Sequence, residues 1–292
     1  MRTFDTPSSL VTLRAACEAV GLETGAAAPE LIRLGENAVW RVHPGLIARV
    51  ARGEDRFAMH ERGVRLARWM HAHQVPAALP LEDLPNPMLV DGRVVTWWEE
   101  VPRARPATAP ELGEALRALH EMPIPDLALP EAVAVDKATD RLAVVDIPEE
   151  DRTALLAMAA RLAQEYEHLV YDLPRGLVHG DAHAANLLAD PEGGLGWVDL
   201  DGVALGQPEW DLVLTAIEHE CGWVSSEDYA GFVSGYGYDV RTAPAYAVLR
   251  GIRLLRMTSW LAQLPGRAER GETARRIADL RQGTSILGWR AF

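Results

Sequence analysis

The segment from Leu177 to Asp201 constrains this chain more than any other. Leu177 and Val178 lead into His179-Gly180-Asp181, Asn186 follows after four residues, and Gly196-Trp197-Val198 delivers Asp199, Leu200 and Asp201. Short apolar runs bounded by glycine and polar residues read as buried strands. Two such strands flanking a polar loop bring Asp181, Asn186 and Asp199 to one edge of a sheet. A carboxylate, an amide and a second carboxylate suit phosphoryl transfer: a base sets the attacking hydroxyl, and two oxygen ligands hold magnesium against nucleotide phosphates.

The 292 residues suffice for one large domain or two lobes sharing a cleft. No apolar run reaches the length of a membrane span, and Met1 to Pro7 contains no signal-peptide core. Cys17 and Cys221 give neither a disulfide framework nor a metal-binding spacing. These features lead us to expect a cytoplasmic protein. A net charge of −13 argues against a nucleic-acid partner. It suits a cationic substrate, but equally an ordinary acidic surface. Lys137 is the single lysine, and every other basic side chain apart from histidine is arginine.

Residues 8–21 read as a helix, with Ser8 or Ser9 as its cap and Gly21 as its stop. A turn-rich link at 25–29 precedes a strand, turn and strand at 31–42, bent at Gly35-Glu36-Asn37, and a third strand at 46–50. A tight hairpin turn exposes N–H groups that can lie over phosphates, although most glycine turns are only turns. Residues 55–73 form an amphipathic helix containing Glu61. A hairpin at 88–90 and 93–101 turns at Asp91-Gly92. Pro102 and the prolines up to Pro110 mark a domain boundary. Beyond it the pattern is helical at 110–120, 149–171, 210–220, 226–236, 243–264 and 273–282, while 123–138 is loop-rich. His120 reads as a capping or packed histidine, and Asp211 as a cap or internal salt-bridge partner.

In this order and spacing the residues resemble the aminoglycoside phosphotransferase family, a branch of the protein-kinase-like fold. The resemblance rests on His179-Gly180-Asp181-x-x-x-x-Asn186, Val198-Asp199-Leu200-Asp201 and Gly206-Gln207-Pro208-Glu209-Trp210-Asp211-Leu212. Softer matches are Gly35 to Val42 and Leu116-Arg117-Ala118-Leu119-His120. Together they span about residues 31–215. The family implies an α+β, bilobal fold. Its N-terminal nucleotide-binding lobe, residues 1–101, would be an antiparallel sheet with one or two helices. A hinge at 98–102 would lead to a mainly helical catalytic and substrate-binding lobe, residues 102–292, with short catalytic strands.

The resemblance also implies roles. Asp181 would be the catalytic base, and Asn186 and Asp199 the Mg2+ ligands, with ATP or GTP as co-substrate. Arg49, paired with Glu61 or not, would hold phosphate, and Asn37 lies in the turn above it. The adenine would meet the hinge at Trp98, the carbonyl of Glu99 and the N–H of Val101. Trp97 and Trp98 alternate, one facing nucleotide and the other the lobe core. Asp201 contacts a second metal or braces its loop, and His183 faces substrate or packs. Glu218 and Glu220, with Glu227 and Asp228, are acids for a cationic acceptor or simply solvated charges. Arg49 departs from the family's lysine, retaining the charge with a bulkier, forked head.

The expected function is a kinase that moves the γ-phosphate to a hydroxyl of a small molecule. An aminoglycoside or related antibiotic comes first, as in resistance; a macrolide, a peptide antibiotic, or a choline- or homoserine-like metabolite are alternatives. A nucleotide-binding regulatory module with little turnover is the reading from another class. The expected partners are nucleotide and acceptor, without nucleic acid or membrane, on a monomer or homodimer.

Overall fold

The computed structural model describes residues 4–23, 28–101, 103–132, 135–264 and 266–292. Part of the expected N-terminal segment, of the link at 25–29 and of the loop at 123–138 lies outside the described residues, as does Pro102. The chain divides into two compact units. One comprises Met1–Ala107, Pro125–Leu129 and Ala184–Val203; the other comprises Thr108–Ile124, Pro130–His183 and Ala204–Phe292.

The first unit opens with helix α1 (Thr6–Ala19), capped by Asp5 rather than by Ser8 or Ser9. The Asp5 carboxylate accepts from the Ser8 N–H at 2.9 Å, and the Ser8 hydroxyl accepts from the Asp5 N–H at 3.0 Å. Ser8 is thus the third residue of a capping box, which satisfies two N–H groups otherwise without helical partners. Strands β1 (Glu30–Leu34), β2 (Asn37–His43), β3 (Leu46–Ala51), β4 (Met88–Val90) and β5 (Arg93–Glu99) form one antiparallel sheet in the order β1-β2-β3-β5-β4. Asp91 and Gly92, with φ of 50° and 75°, make the β4–β5 turn. Positive φ at both central residues matches the twist of the flanking strands.

Alternation then sorts the faces of this sheet. Ala38, Trp40 and Val42 of β2, Leu46, Ala48 and Val50 of β3, and Val95 and Trp97 of β5 pack against Leu13, Ala16 and Cys17 of α1. Burying each large side chain of this set contributes about 1.5–3 kcal/mol. The other face of β3 carries Ile47 and Arg49, in register with Trp98 and Thr96 of β5. Helix α2 (Phe57–Ala72) contacts β5 and the short 3-10 turn Leu200–Gly202. A small sheet of β6 (Arg105–Pro106), β8 (Leu187–Ala189) and β9 (Leu195–Trp197) completes the unit.

The second unit pairs β7 (Gly176–Val178) with β10 (Ala204–Gly206) and is otherwise helical. Its helices are α3 (Ala109–His120), α4 (Asp136–Val144), α5 (Glu149–Tyr166), α6 (Glu209–Cys221), α7 (Ser226–Tyr236), α8 (Tyr246–Leu261) and α9 (Arg267–Gln282). Thr108 and Glu111 cap α3 reciprocally. Helix α4 falls partly in a stretch read as loop, because only Ala138 and Leu142 point inward from it. Helix α5 ends at Tyr166, five residues before the expected end. Helix α9 starts six residues early, since its polar first turns show little apolar period. Cys17 and Cys221 are buried free thiols. No helix among the described residues is long and apolar enough to cross a membrane.

Helices α3 and α7 approach closely through glycine. A Cβ on Gly113 would lie 2.3 Å from the Phe232 carbonyl oxygen and 3.0 Å from the Tyr236 nitrogen, both backbone atoms. A Cβ on Gly271, exposed in α9, would meet nothing within 4 Å. Gly113→Ala is expected to cost about 1–3 kcal/mol by overpacking, whereas Gly271→Ala is expected to add about 0.5–1 kcal/mol through helix propensity. Denaturant midpoints of the two variants against the parent check both signs.

Candidate active site

In the second unit the site is organised by Asp211, in the first turn of α6 and fully buried. Its Oδ2 accepts from the His179 N–H at 2.5 Å and lies 3.1 Å from His120 Nε2, while Oδ1 accepts from the Gly180 N–H at 2.8 Å. Burial pushes its pKa up, but His120 and His179 more than offset this and hold it below the usual carboxylate range. Gly180 has φ of 82°, a conformation glycine adopts without steric cost, and the bend carries the chain out to Asp181.

The Asp181 carboxylate is largely exposed. Arg253 Nη1 is 3.7 Å from its Oδ1, and His183 Nε2 is 3.8 Å from its Oδ2. Arg253, on α8, is buried against the Trp210 ring with 4.0 Å to the centroid, and its Nη2 donates to the Trp210 carbonyl at 3.1 Å. The Trp210 indole N–H donates to the Gly180 carbonyl at 3.3 Å. Burial lowers the pKa of Arg253, against the pull of Asp181, Asp211 and Glu218.

Of the acids expected to meet an acceptor, Glu218 is half-buried, and burial pushes its carboxyl up to about 7. Arg253 opposes that shift and Asp181 adds to it. Glu220 is engaged within the unit, accepting from the Tyr246 hydroxyl and, at 2.7 Å, from Arg250 Nε. Glu227 and Asp228 are exposed in the first turn of α7, and the Asp228 carboxylate accepts from Ser225 Oγ at 2.7 Å.

In the first unit, Asn186 and Asp199 lie at the end of the β8–β9 ladder. The Val198 N–H donates to the Asn186 carbonyl at 2.9 Å, extending the Leu187–Trp197 pairing by one residue. Asp199 has φ of 57°, in the left-handed region that Asp tolerates better than most residues. Arg49 Nη2 donates to Asp199 Oδ1 at 2.7 Å and to Asp201 Oδ2 at 2.8 Å. Burial opposes the charge of Arg49, but the two carboxylates raise its pKa overall. The Asp201 pKa is depressed despite burial, by Arg49 and by His60, whose Nδ1 lies 3.4 Å from Asp201 Oδ1. Of the two alternatives left open for Glu61, the structure shows the solvated charge and no pairing with Arg49 among the described residues. Glu61 is exposed on α2, and the acids on Arg49 come from the 199–201 loop instead.

The 35–37 turn is tied down by side chains from beyond β3. Arg52 donates to the Gly35 carbonyl at 2.9 Å and Arg56 to Glu36 at 3.1 Å, while Asn37 is half-buried at the start of β2. Trp97 is the tryptophan that enters the core against α1; Trp98 lies on the opposite face, with its indole N–H donating to Thr96 Oγ1 at 2.8 Å. Glu99 is exposed and its N–H donates to the Leu79 carbonyl. Val101 is half-buried beside Glu100, whose carboxylate accepts from Arg41 and from the Gly45 N–H.

Sequence reasoning missed His60 and Arg253. A histidine inside an amphipathic helix carries no distinctive signal. Arg253 was more legible: it interrupts the apolar run Leu249, Ile252, Leu254 and Leu255, where a charge must find a partner to be buried.

Among curated proteins, none matches this chain. Solved structures resemble it along nearly its whole length. An amicoumacin kinase, solved with AMP-PNP, Ca2+ and Ami, superposes with a TM-score of 0.72 at 15% identity, covering 98% of this chain and 96% of that one. A microcompartment-associated aminopropanol kinase gives 0.70 at 19% identity, with 95% of each chain covered. The aminoglycoside phosphotransferase APH(3'')-Id of Streptomyces rimosus gives 0.63 at 21%, covering 85% and 98%. At these identities the likeness establishes the fold, the α+β protein-kinase-like architecture expected from the motifs. The family model described as the phosphotransferase enzyme family matches residues 30–252. That span is well over half of the chain, which therefore belongs to the phosphotransferase enzyme family and is an enzyme of that class.

Proposed function

We propose that the enzyme transfers the γ-phosphoryl group of ATP, or of GTP, to a hydroxyl of a small molecule, with Asp181 as catalytic base. The observation that carries this reading is the mounting of Asp181. A largely exposed carboxylate stands at the end of a segment fixed by the buried Asp211, where an acceptor hydroxyl can reach it. The acceptor oxygen forms a bond to the γ-phosphorus, the bond from that phosphorus to the β-phosphate oxygen breaks, and the nucleoside diphosphate leaves. The hydroxyl proton passes to Asp181. Transfer of this kind proceeds through a loose transition state, so holding the hydroxyl in line is the larger contribution of the base.

The donor chemistry beside β8 and β9 fits Mg2+. Among the described residues no group of three or more His, Cys, Asp or Glu side chains is placed to hold a metal. Magnesium needs no such cage, since one or two carboxylates plus substrate phosphates serve. The amide of Asn186, paired with Val198 at the end of the ladder, and the carboxylate of Asp199, the next residue, would supply hard oxygen ligands. Magnesium, when bound, neutralises charge on the phosphate oxygens. Arg49 supplies phosphate-binding charge in place of lysine, and Asp201 braces it.

In this reading residues 1–101 form the nucleotide-binding part, with Asn37, Trp98, Glu99 and Val101 at the nucleotide and a hinge at 98–102. Residues 102–292 form the catalytic and acceptor-binding part. The location we propose is the cytoplasm. An aminoglycoside or related antibiotic is a candidate acceptor through what the similar structures are named for. Of the two acids nearest to that role, Glu220 is engaged by Tyr246 and Arg250, which leaves Glu218 and His183 on the acceptor side.

Three outcomes test the assignments. In a screen that reads acceptor phosphorylation by mass shift, Asp181→Asn is expected to lower kcat by about a hundred- to ten-thousandfold. Transfer at the parent rate would remove Asp181 from the mechanism. Arg49→Met should raise the KM for nucleotide by about tenfold or more, with Arg49→Lys recovering part of the loss. A KM unchanged in both would separate Arg49 from phosphate.

The third outcome concerns pH. The Glu218 carboxyl, raised from 4.5 to about 7, binds a proton more tightly in the folded state. Its contribution to stability is therefore full below pH 4.5 and lost as pH rises through 7. Denaturant midpoints of Glu218→Gln relative to the parent should accordingly rise between about pH 5 and about pH 8.

A further inference from the structure

Two guanidiniums share one indole beside the candidate base. Arg253 Cζ stands 4.0 Å from the Trp210 ring centroid and Arg256 Cζ 5.0 Å from it. Three residues apart on α8, they project from the same helix face. Arg253 is largely engaged, with Nη1 3.5 Å from the Gly180 carbonyl and 3.7 Å from Asp181, and Nη2 on the Trp210 carbonyl. Its Nε, although buried, has no acceptor among the described residues. Arg256 is half-buried, and its guanidinium has neither a hydrogen-bond nor an ion-pair partner among the described residues; its carbonyl accepts from Ser259 Oγ at 3.1 Å and from Arg141 Nη1 at 3.4 Å. Burial pushes the Arg256 pKa down to about 9; the charges of Arg253 and Arg141 add to that fall, and the Asp181 carboxylate opposes it without reversing it.

The neighbouring acids do not resolve this excess of positive charge. Asp211 is saturated by His120 and the two N–H groups. Asp181 faces Arg253 and His183. Glu218, with its carboxyl at about 7, is only partly ionised at neutral pH. Arg253 has Asp181 as its counter-charge, whereas Arg256, partly withdrawn from water beside a second guanidinium, has no carboxylate of its own; an oxyanion that accepts from its fork relieves this.

We infer that Arg256, backed by Arg253 and the Trp210 ring, is an oxyanion subsite, and that the acceptor carries a carboxylate or a phosphate close to the hydroxyl it presents to Asp181. The second half of this inference rests on the reading of Asp181 as base; the subsite itself does not. It narrows the acceptor to hydroxy acids or phosphorylated alcohols, and it sets a polycationic antibiotic against like charge.

The test uses the full chain and four probes on one three-carbon skeleton: glycerate, glycerol 3-phosphate, glycerol and 3-amino-1,2-propanediol. Calorimetric titration should show saturable binding of glycerate, of glycerol 3-phosphate or of both, and none of the neutral and cationic analogues. The two anion arms separate a carboxylate from a phosphate ligand. Arg256→Met, confirmed as folded by circular dichroism, should weaken anion binding by about ten- to a hundredfold, and Arg256→Lys by less. Asp181→Asn should leave anion binding intact. Anions binding no better than glycerol to the parent protein overturn the subsite without recourse to any variant, as does equal anion affinity in Arg256→Met. Intact anion binding joined to undiminished transfer by Asp181→Asn would instead remove the base and leave the subsite standing.

Discussion

The placement of Asp181 in the second unit depends on one buried carboxylate. Taking Asp211 out of water costs several kcal/mol unless its lone pairs are filled. Two consecutive N–H groups and one imidazole fill them. The donors are the backbone of His179 and Gly180, so the solvation of Asp211 and the shape of the segment leading to Asp181 are one interaction. Neither end can move without leaving a charge unpaired. Trp210, the neighbour of Asp211 on α6, closes the arrangement by donating to the Gly180 carbonyl and supporting Arg253. A carboxylate that is to hold a hydroxyl in line, the role proposed for Asp181, needs rigid backing, and a fully buried charge provides it.

A comparable constraint governs Arg49 in the first unit. With no lysine before Lys137, the third strand must use arginine if it is to present a cation there. A guanidinium offers several donors in a fixed fork, and a single nitrogen of Arg49 reaches both Asp199 and Asp201. Helix α2 joins this set through His60 on Asp201 and not through Glu61. The close packing of α2 on the Leu200–Gly202 turn has the same origin, since a Cβ at Gly63 would stand 3.3 Å from Asp201 Oδ1. The strand, the helix and the acidic loop are thereby held in one electrostatic set.

Much of the architecture was legible because it follows from local pattern. Alternation along β2 and β3, the Asp91-Gly92 turn, the apolar period of α3 and that of α8 each report structure within a few residues. What was not legible depended on partners far away in sequence. Asp5 outcompeted Ser8 as cap because both halves of a capping box had to be recognised together. Helix α4 has too few inward residues to show a period. The pairing of Arg49 joins residues some 150 positions apart, and no spacing rule favours Asp201 over Glu61. Arg253 and Arg256 sit in a helix whose apolar period is clear, but their stacking on Trp210 arises only once α6 and α8 pack.

The same distinction limits what charge composition says about recognition. A net charge of −13 describes the field felt far from the protein, which salt screens within about 10 Å. Close to Gly180 and Asp181 the balance differs. Asp211 is satisfied internally, Asp181 is met by Arg253, Glu218 is only partly ionised, and two guanidiniums press on one indole. A ligand in contact with these groups experiences them at short range and low dielectric, where a single charge outweighs the distant surface. On the proposed assignments an acidic chain can therefore hold an anion beside Asp181, and the surface total is no guide to the acceptor.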